Sequence, residues 1–106
     1  MIITDRGRFK LTFKNGYAMS VVNGYGTYSD NYNNIELILG KKPIISEKCE
    51  IAIIKDKEFC TKKFIDSDDD VKGFVSPDEL TEIFLKVANY QEKWKDTVFY
   101  KKKRIV

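Results

Sequence analysis

Polar and apolar residues alternate strictly near the start of the chain. Phe9, Leu11 and Phe13 are interleaved with Arg8, Lys10, Thr12 and Lys14, and Tyr17, Met19 and Val21 with Ala18 and Ser20. A period of two predicts two half-buried strands, and Asn15-Gly16 between them marks the hairpin turn. A two-residue turn would set Phe13 opposite Ala18 and Leu11 opposite Ser20. A three-residue loop, Lys14-Asn15-Gly16, sets Phe13 opposite Tyr17, Leu11 opposite Met19 and Phe9 opposite Val21. The second register matches apolar with apolar and places Gly16 in the left-handed position of a bulged loop. It is the register expected.

Further apolar runs predict a third strand at residues 35–39, a turn region over residues 40–46 around Pro43, and a buried, β-branched strand at residues 49–54. Asp56-Lys57 reads as a turn into a strand over residues 58–65. The helix announces itself most fully. Ser76 is its N-cap, Pro77 its first residue, and Glu79 completes a capping box. Val75 and Leu80 are spaced for a hydrophobic staple. Leu80, Ile83, Phe84 and Val87 form one apolar stripe, with Glu82 and Lys86 on the wet side, and the helix should end near Tyr90 or Gln91. Trp94 and Val98-Phe99-Tyr100 then predict a short strand or packed segment. The expected architecture is α+β: an antiparallel twisted sheet of about five strands with one C-terminal amphipathic helix packed on a face, in a single domain over residues 1–106.

Residues 23–34 break the pattern. They are Asn, Gly, Tyr, Thr, Ser and Asp only, with no aliphatic and no basic residue. Such a segment lacks the means to form core. It offers phenol rings, hydroxyls, amides and backbone N–H groups, the chemistry of recognition loops. Asn23, Tyr25, Thr27, Tyr28, Ser29, Asp30, Asn31 and Tyr32 are the candidate binding residues. Gly24-Tyr25-Gly26 has the form of an anion nest. It lacks the third glycine and following helix of a dinucleotide fingerprint, and no P-loop lysine follows.

Composition narrows the chemistry. With 42% hydrophobic and 33% charged residues the chain reads as soluble and globular. No apolar run approaches a membrane span, and the N-terminus lacks a signal-peptide apolar region, so a cytoplasmic location is expected. Net charge is +3, but Lys101, Lys102, Lys103 and Arg104 supply all of the excess. Those four, with Trp94, Phe99 and Tyr100 nearby, are the candidate contacts for an alternative nucleic-acid-binding role through phosphate contacts and stacking.

Histidine is absent, which removes the commonest general base and transition-metal ligand. Cys49 and Cys60 are too few for a disulfide framework or a zinc site. Their strand positions set them roughly 13 Å apart, beyond bridging, and both read as small core residues. Neither has a basic partner, and the carboxylates over residues 66–70 are consecutive and solvated, so nothing raises one for acid catalysis. The expectation is a binding protein, not an enzyme, with no cofactor.

Residues 68–79, DDDVKGFVSPDE, resemble the twelve-residue calcium loop of EF-hand proteins. Asp68 and Asp70 stand at the first two ligand positions, Gly73 at the turn, Val75 at the apolar position, Ser76 at a ligand position and Glu79 at the bidentate one. Lys72 stands where the third ligand belongs and opposes a cation. The alternative is an acidic turn into a well-capped helix, with Asp78 and Glu79 favouring its dipole.

Across separated segments, FKNGYAMSVVNGYGTYSDN, EIAII and DDVKGFVSPDEL resemble a pattern found in small accessory proteins of bacteriophages and prophages. The resemblance carries over no catalytic or ligand residue. It implies a phage protein working in the bacterial host cytoplasm. The expected role is inhibition of a bacterial defence system, by blocking a protein machine such as a CRISPR effector or by sequestering a nucleotide second messenger. A sponge of the second kind would hold its ligand in a pocket shared between copies of a homo-oligomer.

Overall fold

A computed structural model describes residues 1–40 and 42–91. Trp94, Phe99, Tyr100 and the basic cluster Lys101, Lys102, Lys103 and Arg104 lie outside the described residues.

The hairpin forms in the apolar register. Strands β2 (Arg8–Thr12) and β3 (Ala18–Val22) pair antiparallel with Phe9 opposite Val21 and Leu11 opposite Met19. The Phe13 N–H donates to the Tyr17 carbonyl at 2.8 Å, and Gly16 has φ of +89°. Strand β5 (Cys49–Lys55) lies on the other side of β3, with Met19 opposite Ile53 and Val21 opposite Ile51. Its outer edge is shared. The two-residue turn Asp56-Lys57, with φ of 53° and 70°, brings β6 (Glu58–Phe59) back onto Ile54 and Lys55, while β7 (Lys72–Val75) pairs with Cys49 and Ile51. These five antiparallel strands form the main sheet. A separate two-stranded ribbon joins β1 (Ile2–Thr4) to β4 (Ile44–Ser46).

The helix α3 (Pro77–Ala88) lies across one face of the sheet. The Ser76 hydroxyl accepts the Glu79 N–H at 3.3 Å as N-cap, and Leu80, Ile83 and Val87 are buried with Phe84 packed beside them. Opposite stand the odd-numbered residues of the strands: Met19, Val21, Cys49, Ile51, Ile53 and Val75, all essentially inaccessible. The fold is therefore α+β, as the hydrophobic pattern implies.

Three expectations are corrected. Residues 35–39 are not a strand; Glu36–Leu39 is the short helix α1. Both edges of β3 are taken by β2 and β5, and the segment makes local bonds instead: Leu37 N–H to the Asn34 carbonyl at 3.2 Å and Ile38 N–H to the Ile35 carbonyl at 3.1 Å. The turn region over residues 40–46 ends in a strand, because Ile44–Ser46 finds β1 as partner. The strand over residues 58–65 stops after Phe59 and gives way to α2 (Thr61–Phe64). Here a side chain replaces the ladder: the Thr61 hydroxyl accepts the Ile53 N–H at 2.9 Å and donates to the Asp70 carbonyl at 2.6 Å. Cys60 is thus not in a strand, although its N–H still bonds the Ile53 carbonyl. Both cysteines are free thiols, Cys49 buried and Cys60 partly so.

The far end of the domain is closed by the hairpin turn. The Asn15 side chain donates to the Val87 carbonyl at 2.7 Å and the Tyr90 carbonyl at 2.9 Å, and its oxygen accepts the Tyr17 N–H at 3.0 Å. It thereby adds a donor to the Val87 carbonyl at the end of α3, which also accepts the Tyr90 N–H at 3.2 Å. Below it Tyr17, Phe64 and Tyr90 meet edge to face with centroids 5.0–5.3 Å apart. Asn15→Ala removes all three side-chain bonds and is expected to destabilise the fold by about 1–3 kcal/mol. Urea denaturation measures this, with an unchanged midpoint the contrary result.

Candidate functional site

The loop after β3 owes its shape to two buried amides. Asn23 is completely buried where the chain leaves the sheet. Its N–H donates to the Gly7 carbonyl at 2.8 Å, its side-chain oxygen accepts the Thr4 hydroxyl, and its side-chain nitrogen reaches the carbonyls of Ile2 at 3.2 Å and Ile44 at 3.4 Å. Asn31 returns the loop to the same point, donating to the Asn23 carbonyl at 2.8 Å and the Ile45 carbonyl at 2.9 Å. The buried Ser29 hydroxyl accepts the Asn31 N–H at 3.1 Å, and Thr27 donates to the Gly24 carbonyl at 2.7 Å. Among the described residues, no buried side-chain nitrogen or oxygen lacks a partner.

Of the candidate binding residues, Asn23, Ser29 and Asn31 therefore face inward, and Thr27 is half-buried. They build the loop and are not displayed to a partner, because a segment without apolar side chains anchors itself through polar ones. Asp30 is exposed, but one carboxylate oxygen accepts the Glu47 N–H at 2.8 Å. What remains outward is aromatic: Tyr25, Tyr28 and Tyr32 are 47%, 47% and 46% exposed.

The tyrosines divide into two groups. Tyr28 and Tyr32 lie parallel, 3° between planes and 5.9 Å between centroids, and Phe74, itself 55% exposed, lies 6.4 Å from Tyr28. Tyr25 stands apart, in a cleft with Arg6 and Arg8. The three-ring platform borders a broad, shallow groove of about 780 Å³, completed by Ser29, Asp30, Asn33 and Asn34. Two backbone bonds fix Tyr28: its N–H donates to Glu50 Oε1 at 3.1 Å, and its carbonyl accepts the Phe74 N–H at 2.8 Å. Gly73 lets the loop come this close. A Cβ there would lie 2.5 Å from the Tyr28 Cβ.

A break in the β7 ladder gives Phe74 its place. Phe74 has φ of +54°, and β7 shifts register against β5 between Cys49 and Ile51, so Val75 is buried in the core while Phe74 is left exposed. Period-two alternation does not foretell such a break, and the calcium-loop resemblance assigns the same residues another role. The structure draws Lys72–Val75 out as a strand, uses the Ser76 hydroxyl as helix cap and places Glu79 in the first turn of α3. Asp68 and Asp70 remain in the preceding turn, where Asp70 supplies a carbonyl to Thr61. Among the described residues no three His, Cys, Asp or Glu side chains gather into a group that could hold a metal ion.

Cys49 offers no nucleophile. Burial, followed by the nearby charges of Glu79 and Glu50, pushes its thiol up to about 12, and the reactive thiolate is suppressed at neutral pH. No helix among the described residues is long and apolar enough to cross a membrane. Compared with known proteins, the chain matches no family model, no curated sequence and no solved structure.

Asn31→Ala removes one donor from each of two backbone carbonyls, that of Asn23 keeping only the longer bond from the Ser29 hydroxyl at 3.3 Å, and is expected to destabilise the protein by about 1–3 kcal/mol. Tyr32→Ala, on the exposed platform, should change stability by less than about 1 kcal/mol. Thermal and urea unfolding of the two variants distinguishes scaffold from display. In the native protein a thiol-alkylating reagent should modify Cys60 before Cys49, as peptide mass mapping over time would read. Equal rates contradict the burial described.

Proposed function

We propose that this is a non-enzymatic binding protein that grips a partner protein through Tyr28, Tyr32 and Phe74. The observation carrying this reading is three exposed rings held by backbone hydrogen bonds on a sheet-anchored loop. Exposed, clustered aromatic side chains are the usual anchors of protein interfaces, since they bury much area with few torsions to immobilise. Among the described residues the groove beside them is lined by no Lys or Arg and by one carboxylate, Asp30. A protein surface carrying a basic or neutral knob fits it better than an anionic ligand.

The resemblance to phage and prophage accessory proteins supplies the setting. In that reading the partner is a component of a bacterial defence machine, met in the host cytoplasm, and binding inhibits it by occlusion. Blocking needs no catalytic group, which accords with a buried, protonated Cys49 and a chain without histidine.

The test is affinity capture from infected host cells, followed by titration of the recovered protein against the wild type and the triple variant Tyr28→Ala/Tyr32→Ala/Phe74→Ala. The variant should lose at least about 100-fold in affinity, as hot-spot aromatics do, while its melting temperature stays close to the parent's. Undiminished affinity in the folded variant refutes the platform as the contact.

A further inference from the structure

A second concavity lies on the other side of the loop, and its chemistry differs. It has a volume of about 470 Å³, within the range of small-molecule sites. Asp5 and Arg6 contribute from the turn joining β1 to β2, Arg8 from the start of β2, Tyr25 from the loop, and Leu37 and Ile38 from α1. Its floor is backbone. Gly7, with φ of +76°, passes so close to Gly24 that a Cβ on it would lie 3.2 Å from the Gly24 Cα and 3.3 Å from the Ile44 side chain. The Gly24 N–H is buried there and has no acceptor among the described residues.

Arg6 and Arg8 are exposed at this cleft, and among the described residues neither guanidinium has an ion-pair or hydrogen-bond partner. Two unpaired guanidinia beside a backbone N–H that lacks an acceptor offer a receptor for phosphate-type oxygens, which guanidinium forks bind in bidentate fashion. Tyr25 and the aliphatic surfaces of Leu37 and Ile38 offer the opposite chemistry, a flat ring and an apolar wall. The single carboxylate, Asp5, leaves the lining with a net positive charge.

We propose that this cleft binds a free nucleotide, its phosphate held by Arg6 and Arg8 and its base set against Tyr25 and the α1 wall. The requirement for an anion and a flat apolar group together follows from the two halves of the lining. The concave, backbone-floored shape favours a small ligand over a polynucleotide, whose contacts run along open stripes.

Isothermal titration tests this with AMP and ADP as probes and with adenosine, inorganic phosphate and a short single-stranded oligonucleotide as comparison ligands. AMP or ADP should bind with a dissociation constant below about 0.1 mM, and adenosine and phosphate at least about tenfold more weakly. Arg6→Gln/Arg8→Gln, both at exposed positions and checked for an unchanged melting temperature, should weaken the nucleotide by about tenfold or more, and Tyr25→Ala likewise. Tyr28→Ala should leave nucleotide binding unchanged, which separates this site from the protein-binding platform. Absence of binding by both nucleotides at about 1 mM overturns the proposal. So does tighter binding of the oligonucleotide than of the mononucleotides, or nucleotide affinity indifferent to loss of both arginines.

Discussion

Everything displayed by this protein depends on two carboxamides that are not displayed. Asn23 and Asn31 bind the carbonyls of Ile2, Ile44 and Ile45, and Asn31 also binds Asn23. The β1–β4 ribbon pairs only three residues on each strand, too little to hold its shape alone in water. The loop over residues 23–34 has no hydrophobic anchor of its own. Each stabilises the other through a pair of side chains whose nitrogen protons are both committed. Aspartate would bring lone pairs and charge to the same carbonyls, and leucine would leave them unpartnered, so the geometry admits an amide and little else.

Glycine works with the amides by allowing close approach. At Gly7 and Gly24 two backbones cross to make the floor of the cleft, and at Gly73 the strand β7 receives Tyr28. The loop is thereby clamped on both sides, by the ribbon at one end and by the sheet edge at the other. Tyr25 shares its cleft with two arginines, whereas among the described residues the groove beside Tyr28 and Tyr32 is lined by no cation. One segment of uniform composition thus yields two surfaces of different electrostatic character. The difference comes from the neighbours that each ring meets and not from the rings themselves.

How much of this the sequence discloses depends on the range of the interaction. The hairpin register and the Ser76 cap were legible, because each follows from residues within a few positions of one another. The exposure of the three tyrosines was also legible, since a stretch without aliphatic side chains has nothing to bury them with. The failures are non-local. Residues 35–39 look like a strand until both edges of β3 are known to be occupied. Thr61 looks like part of a strand until its hydroxyl is seen to take the Ile53 ladder position. Asn23, Ser29 and Asn31 look like ligand-binding groups because an amide bonded to a distant carbonyl and one turned to a partner are identical in a sequence. Gly73 fitted a calcium loop equally well, and only the position of Tyr28 decides its role.

The clamped loop also bears on what kind of binding such a protein is suited to. A twelve-residue loop free in solution would lose about 1–2 kcal/mol of backbone entropy per residue ordered on binding, more than three aromatic anchors return. Here the ordering is completed by folding, through contacts made entirely within the chain. In the proposed role the rings have only their own torsions left to restrict, which lowers the ordering cost of binding. A polar, glycine-rich recognition loop and a rigid one are usually opposing choices. Inward-facing amides reconcile them in this chain, because the side chains that make the loop polar are the ones that hold it still.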